Sequence, residues 1–261
     1  MLLIGGSQGM AGAIGLAGMA TLRSGAGLVR LAIPEIIQAT VASYEPSYTT
    51  IALPHDANGR IAATALAKLS EAIHDATVVA IGPGLGRSSD LSKLVAQLYC
   101  ETAQPLVIDA DGLNALAKLG EQLPLPNGPR IVTPHPGEFA RLLKIDNVAP
   151  GQREMLARDF AQRQRVVVVL KGHVSIITDG ESLFRNTTGN PGMATGGTGD
   201  VLTGVIAALL GQGLSSLDAA RLGAHVHGLA GDLAAEKLGQ VGLIARDLVD
   251  FLPRAFQAVE K

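Results

Sequence analysis

Short apolar runs alternate with segments of helical periodicity along the whole sequence. The clearest run is 166–170, which holds four valines and a leucine, and similar runs occupy 77–81 and 105–108. A continuous apolar run of this length is typical of a strand buried on both faces, as in a parallel sheet. Because no linker, repeat or low-complexity segment divides the chain, we predict one α/β domain over residues 1–261 with a central, mostly parallel sheet. Functional loops are then expected at the carboxyl ends of the strands.

A glycine-rich segment at 190–200 leads directly into an apolar helical face over 198–212. The first amides of such a helix have no intrahelical acceptor, and the helix dipole adds partial positive charge at the same end. Glycine lets a phosphate or an oxyanion approach the backbone closely. We therefore predict an anion hole formed by Gly196, Gly197, Thr198 and Gly199.

Asp200 is the unexpected member of this segment, because a carboxylate repels an anion bound beside it. The residue fits such a site if it takes a proton from a hydroxyl group that attacks phosphorus, so Asp200 is the predicted catalytic base. The alternative is that Thr198 or Asp200 caps the helix while the glycines only form a turn. The length and composition of the segment favour phosphoryl transfer.

Charge and composition exclude several classes of protein. The formal net charge of -2 provides no field for a polyanion, and aromatic residues make up only 3% of the chain. No apolar stretch approaches the roughly 20 residues that cross a bilayer. We therefore expect neither nucleic acid nor a membrane as a partner. Cys100 is the single cysteine, which excludes a disulfide framework and leads us to expect the cytoplasm as the compartment.

Two aspartates follow the apolar run 105–108. Alternation along an extended segment would send the side chains of Asp109 and Asp111 the same way, where they could contact a cation or a ribose hydroxyl. Helix capping is the commoner role of such residues and remains the alternative. Asn114, just beyond them, is a second-tier site candidate.

Polar residues also follow the runs that end at 133 and 170. His135 lies between two prolines, which restrict its backbone and favour a ligand contact over a purely structural role. Glu138 lies in the first turn of the next helix, where stability alone explains a carboxylate, so it is second-tier. Lys171 suits a phosphate contact, and a solvated surface lysine is the alternative.

Two other features carry less weight. The glycine-rich loop at 5–12 opens into a helix of small residues that we predict to end near residue 24, but it lacks the G-x-G-x-x-G spacing of a dinucleotide fingerprint. His225 and His227 are two residues apart and cannot share a helical face, so we predict no metal pair there. The ligands of any metal ion are left unassigned.

Six motifs occur together and in order as in the NAD(P)H-hydrate dehydratase family, which the chain resembles over nearly its whole length. The most specific motif is TGNPGMATGGTGD at 188–200. The others are GGS at 5–7, GPGLG at 82–86, DADGLN at 109–114, TPHPGE at 133–138 and LKG at 170–172. The resemblance implies a ribokinase-like three-layer α/β/α fold. It also implies repair of the S-epimers of hydrated NADH and NADPH, called NADHX and NADPHX.

The resemblance also implies the roles of individual residues. The hydrated dinucleotide would contact Ala13, Gly84, His135 and Asp200. The adenine nucleotide would contact a second set, consisting of Lys171, Gly172, His173, Val174, Ser175 and Gly199. Bacterial and archaeal members of the family use ADP and eukaryotic members use ATP, so ADP is the expected co-substrate.

Cofactor, assembly and partner follow from the same resemblance. Mg²⁺ is expected to bridge the nucleotide phosphates. A homotetramer is the implied assembly. An NAD(P)H-hydrate epimerase is the implied functional partner, because 261 residues leave no room for the epimerase domain fused to some relatives.

Two other functions are compatible with the same residues. One is a small-molecule kinase of the same superfamily, of the hydroxyethylthiazole or pyrimidine kinase type, because a glycine-rich loop with an aspartate serves any hydroxyl phosphorylation. The other is a nucleotide-sensing module without chemistry. ATP in place of ADP is the alternative phosphoryl donor.

Overall fold

A computed structural model of the protein describes residues 1–120 and 123–260. Its strands within these ranges are β1 (Leu2–Ile4), β2 (Arg30–Pro34), β3 (Thr49–Leu53), β4 (Val79–Ile81), β5 (Leu106–Ile108), β6 (Arg130–Val132), β7 (Val167–Leu170), β8 (Ser175–Thr178) and β9 (Leu183–Asn186). Its α-helices are α1 (Ala11–Arg23), α2 (Gln38–Ala42), α3 (Leu66–His74), α4 (Ser89–Glu101), α5 (Ala110–Ala117), α6 (Pro136–Leu143), α7 (Arg153–Gln164), α8 (Thr198–Gly211), α9 (Ser216–Leu238) and α10 (Ala245–Val259).

All of these strands join one sheet, in the order β3-β2-β1-β4-β5-β6-β7-β8-β9. Strands β1 to β7 are parallel, and β8 and β9 add an antiparallel hairpin at one edge. The strand order reverses beside β1, which pairs with both β2 and β4. The loops that follow β1 and β4 therefore diverge and leave a crevice, which is where open α/β sheets bind ligands.

Alternate residues of the strands feed two separate hydrophobic cores. Leu2 and Ile4 pack on one face with helices α3 to α7, while Leu3 packs on the other face with α1, α8, α9 and α10. Both faces of the parallel strands are buried, which explains their continuous apolar sequences. The expected three-layer α/β/α architecture is confirmed.

The small residues of α1 serve close helix packing. Gly204 of α8 lies so near the carbonyl oxygen of Ala17 that a Cβ atom there would collide with it. The strands predicted at 77–81, 105–108 and 166–170 agree with β4, β5 and β7 to within two residues, and the helices predicted to end near residue 24 and to cover 198–212 agree with α1 and α8. The single domain over 1–261 stays a prediction, and residues 121, 122 and 261 lie outside the described residues.

Among the described residues, no helix combines enough length with enough apolar character to span a membrane.

Candidate functional site

A cavity of about 720 Å³ lies at the carboxyl edge of the sheet, in front of the first turn of α8. Three strand ends contribute to its wall, because Asp109 follows β5, His135 follows β6 and Lys171 follows β7. Asp200 enters from α8. Neighbouring parallel strands end at the same edge of a sheet, so residues far apart in sequence meet here. The segment 186–199 and helix α9 complete the wall.

The first turn of α8 has no side-chain cap. Gly197 occupies the N-cap position with φ of 92°, a conformation that glycine adopts without strain. The hydroxyl of Thr198 donates instead to the carbonyl oxygens of Met193 and Thr195, each at 3.0 Å. The capping alternative is therefore wrong for both Thr198 and Asp200. The first-turn amides remain available to an anion in the cavity.

The carboxyl group of Asp200 is poised to exchange a proton near neutral pH. Burial and the negative charge of Asp109 raise its pKa to about 7, while the charge of Lys171 acts in the opposite direction. A general base works best when its pKa lies close to the working pH. Asp200 thus has the acid strength that the predicted role requires.

Lys171 is held by two carboxylates. Its Nζ lies 2.7 Å from Oδ1 of Asp109 and 4.0 Å from Oε2 of Glu138. Burial would lower the pKa of Lys171, but the charges of Asp109 and Glu138 outweigh it and raise the pKa above its ordinary value. The ammonium group therefore stays charged beside Asp200, and the alternative of a solvated surface lysine is wrong.

The two aspartates after β5 have different partners, so the side chains do not share a direction as an extended segment would require. Asp109 is the N-cap residue of α5, but its side chain makes no capping hydrogen bond. Asp109 contacts Lys171, whereas Asp111 accepts hydrogen bonds from the amide of Gly86 at 3.0 Å and from Nε of Arg87 at 2.9 Å. The alternation of an extended strand stops at Asp109, since α5 begins at the next residue. That residue, Ala110, has φ of 48°, a strained conformation of the kind that clusters at functional sites.

His135 caps helix α6. Its Nδ1 accepts hydrogen bonds from the amides of Gly137 at 3.0 Å and Glu138 at 3.3 Å, and its own amide donates to Oε2 of Glu138 at 2.9 Å. Burial and the charge of Lys171 lower the pKa of His135, so the ring is neutral and carries its proton on Nε2. Burial raises the pKa of Glu138, the partner of His135 in the cap. Because the His135 ring also lines the cavity, it combines the capping role with a place in the cavity wall.

The remaining predicted residues divide between three places. Gly172, His173, Ser175, Gly197, Thr198 and Gly199 line the cavity, whereas Val174 and Gly196 are not part of its wall. Ala13 and Gly84 lie beside each other in the neighbouring crevice, between α1 and the loop after β4. Asn114 lies in a polar network, where it bonds Asp111 at 3.2 Å and Arg141 at 2.8 Å. Ligand contacts of all these residues stay predictions.

Helix α9 contributes residues that sequence reasoning missed. Asp232 accepts hydrogen bonds from the amide of Gly189 at 2.8 Å and from Nδ2 of Asn190 at 3.0 Å. His227 lines the cavity and bonds the carbonyl oxygen of Thr198 at 2.8 Å through Nε2. Burial lowers the pKa of His227 to about 4, so it is neutral and Nε2 is the donor. No pattern in the sequence marks these positions, because helical periodicity does not say which face of α9 meets the loop.

The donor set does not form a metal centre. Among the described residues, no three His, Cys, Asp or Glu side chains are arranged to hold an ion. The carboxylates of Asp109 and Glu138 face the ammonium group of Lys171 and not a common metal position.

The chain is similar to proteins of known activity. A family model described as NAD(P)H-hydrate dehydratase matches residues 1–254. The bifunctional NAD(P)H-hydrate repair enzyme Nnr of Moorella thermoacetica is 45% identical over 265 aligned residues, which cover 100% of this chain and 50% of that protein. The chain thus spans about half the length of the Nnr relatives that it matches.

Two solved structures resemble the chain to different degrees. The ADP/ATP-dependent NAD(P)H-hydrate dehydratase of Bacillus subtilis, co-crystallised with ATP and Mg²⁺, has a TM-score of 0.83 at 31% identity, covering 98% of this chain and 88% of that one. A hydroxyethylthiazole kinase of Pyrococcus horikoshii has a TM-score of 0.60 at 19% identity, covering 94% of each chain, and so shares the fold alone. Because the family model extends from residue 1 to residue 254 and the Moorella relative aligns along the entire chain, the protein is a member of the NAD(P)H-hydrate dehydratase family.

Proposed function

We propose that the protein converts the S-epimers of hydrated NADH and NADPH back to NADH and NADPH, using ADP and releasing AMP and phosphate. Membership of the family supports this activity. The observation that carries it is the position of Asp200, which lies in the cavity wall beside the uncapped amides of α8 and the ammonium group of Lys171.

The first step is phosphoryl transfer to the substrate. Asp200 takes the proton of the C6 hydroxyl group, and the hydroxyl oxygen forms a bond to the β-phosphorus of ADP while the bond to the AMP oxygen breaks. Negative charge develops on the transferred phosphoryl oxygens. The amides of Gly197, Thr198 and Gly199, which line the cavity, and the charge of Lys171 stabilise it.

The second step is elimination. Hydroxide is a poor leaving group, whereas the phosphate ester leaves readily when the ring nitrogen donates its electron pair to C6. Loss of a proton from C5 then forms the 5,6 double bond of NADH or NADPH. The oxygen of the added water departs in the phosphate, so the reaction is a dehydration driven by cleavage of a phosphoanhydride.

Mg²⁺ enters this proposal as a companion of the nucleotide. The Bacillus subtilis relative was co-crystallised with ATP and Mg²⁺. Because the described residues offer no cluster of metal ligands, the ion would be held by phosphate oxygens and water, and no residue of the chain is assigned to it. Its chemistry would be to neutralise charge on the phosphates.

Two ligands need two adjoining places. The nucleotide is assigned to the cavity through Lys171 to Ser175 and Gly199, and the dinucleotide to the crevice of Ala13 and Gly84, with His135 and Asp200 at its reacting end. The side chain of Leu16 in α1 lies close to Gly197, which supports placing the two ligands next to each other.

The test follows the absorbance of the product at 340 nm. The purified protein is mixed with Mg²⁺, NADHX and either ADP or ATP. We expect absorbance to return with one AMP and one phosphate formed per NADH when ADP is the donor. A kinase of the same fold would consume nucleotide and accumulate a phosphorylated product without restoring absorbance, and a nucleotide sensor would consume nothing.

Assembly and partner are further parts of the proposal. A homotetramer is proposed on resemblance and is measured by light scattering. An epimerase that interconverts the two epimers of NADHX would make the whole hydrated pool available to an S-specific dehydratase. The word "bifunctional" in the names of the longer relatives supports such a partnership.

A further inference from the structure

Asp109 is a buried carboxylate with a different partner on each oxygen. Its side chain is 1% exposed. Oδ1 accepts a hydrogen bond from Nζ of Lys171 at 2.7 Å, and Oδ2 accepts one from the hydroxyl of Thr203 at 2.8 Å. A buried carboxylate with both oxygens bonded cannot rotate without losing a partner. The second partner is therefore part of what holds Lys171 in place.

Thr203 has no exposure to solvent and reads in the sequence as an ordinary core residue of α8. Its hydroxyl lies 2.8 Å from Asp109 and 3.3 Å from the carbonyl oxygen of Gly199. A hydroxyl has one proton to donate, and an ionised carboxylate accepts only, so the shorter bond takes the proton. Thr203 is also one turn beyond Asp200 on the same helix.

We propose that Thr203 is a positioning residue, which aligns the Asp109–Lys171 ion pair with Asp200 through one hydrogen bond from α8 to the end of β5. The inference rests on the proposed function for its meaning. It ties three elements of the site together, since Asp109 follows β5, Lys171 follows β7 and Asp200 lies in α8. Neither Thr203 nor its hydroxyl touches the substrate in this account.

The electrostatic consequence concerns Asp200. Four charged groups act on it, namely Asp109 and Asp111 around the start of α5, Glu138 in α6 and Lys171 after β7. The hydroxyl dipole of Thr203 offsets part of the negative charge of Asp109. Removing the dipole leaves that charge less compensated, so the pKa of Asp200 rises further and less of the base is ionised at neutral pH.

Three substitutions test the role of the hydroxyl. Thr203→Val removes it at nearly constant volume, Thr203→Ala removes it without a new methyl contact, and Thr203→Ser keeps it. The matched control is Thr21→Val in α1, because Thr21 is equally buried and its hydroxyl, among the described residues, bonds only the carbonyl oxygen of Ala17, at 2.7 Å.

Activity at 340 nm and the pH dependence of kcat/KM are measured for each variant. For Thr203→Val and Thr203→Ala we expect the acid limb of the kcat/KM profile to move up by about half a pH unit and kcat/KM at pH 7 to fall roughly twofold or more. Thr203→Ser and Thr21→Val should match the wild type in both readouts. Unchanged profiles in both hydroxyl-free variants overturn the inference.

A second readout does not depend on turnover. The carboxyl carbon of Asp200 is titrated by NMR in the wild type, Thr203→Val and Thr21→Val. An upward shift confined to Thr203→Val supports the inference even if NADHX proves not to be the substrate. Equal titrations in an active enzyme reject the inference and leave the proposed function intact.

Discussion

At the scale of single residues, the surroundings of Asp200 oppose its ionisation. Burial and the charge of Asp109 raise its pKa from 3.8 to about 7. A group whose pKa is higher in the folded than in the unfolded state favours folding when protonated and opposes it when ionised. The carboxyl that the reaction needs is therefore a source of instability at working pH.

Asp200→Asn should make the protein more stable at pH 8. The wild type loses stability as the pH rises from about 4 through 7, and the amide has no charge to bury, so we expect a gain of about 1–4 kcal/mol. Urea unfolding at pH 8 and at pH 4 measures it. The gain should shrink toward zero at pH 4, and a variant less stable than the wild type at pH 8 would contradict the account.

At the scale of elements, α9 is the support of the segment 186–198. Thr188 packs against Gly228, Met193 packs against Gly231, and Asp232 binds the backbone of Gly189. A helix with glycine at the contact points lets a loop approach its backbone closely. The shape of the cavity thus depends on a helix that contributes His227 and Gly228 as its only lining residues among those described.

Gly228→Ala should distort this support. A Cβ atom there would lie 2.6 Å from the carbonyl carbon of Thr188 and 2.7 Å from its oxygen, so backbone must move. We expect a loss of about 1–3 kcal/mol of stability and roughly tenfold weaker ADP binding by calorimetry. Gly12→Ala is the control, because nothing lies within 4 Å of a Cβ there. It should leave ADP affinity unchanged and add about 0.5–1 kcal/mol of stability. Equal ADP affinities in the two variants would contradict the supporting role of α9.

The sequence predicted the strand ends of the site well, because buried parallel strands have continuous apolar patterns and their carboxyl ends meet at one edge. The prediction failed where tertiary contacts decide which way a side chain points. The start of α5 at Ala110 turns Asp109 and Asp111 apart, and no local sequence pattern indicates this start. In the sequence Thr203 has the pattern of a core residue, and only the structure shows its hydrogen bond to the carboxylate of Asp109. The face of α9 that meets the loop is a tertiary fact, which helical periodicity does not specify.

At the scale of the whole molecule, the fold brings a base, a cation and a row of free amides to one cavity from four distant parts of the chain. Asp109, His135 and Lys171 come from successive parallel strands, and Asp200 comes from a helix on one face of the sheet. We propose that this assembly moves a phosphoryl group onto a hydroxyl that Asp200 deprotonates.

The pH dependence of kcat/KM for NADHX with ADP, followed at 340 nm in the wild type and in Asp200→Asn, tests that claim most directly. The ionised base is required, so wild-type kcat/KM should fall about tenfold per pH unit below an apparent pKa near 7. Asp200→Asn should lose about 10²–10⁴-fold of kcat, show no acid limb and bind ADP within a few-fold of the wild type. A variant that keeps wild-type turnover and the same acid limb would show that another group takes the proton.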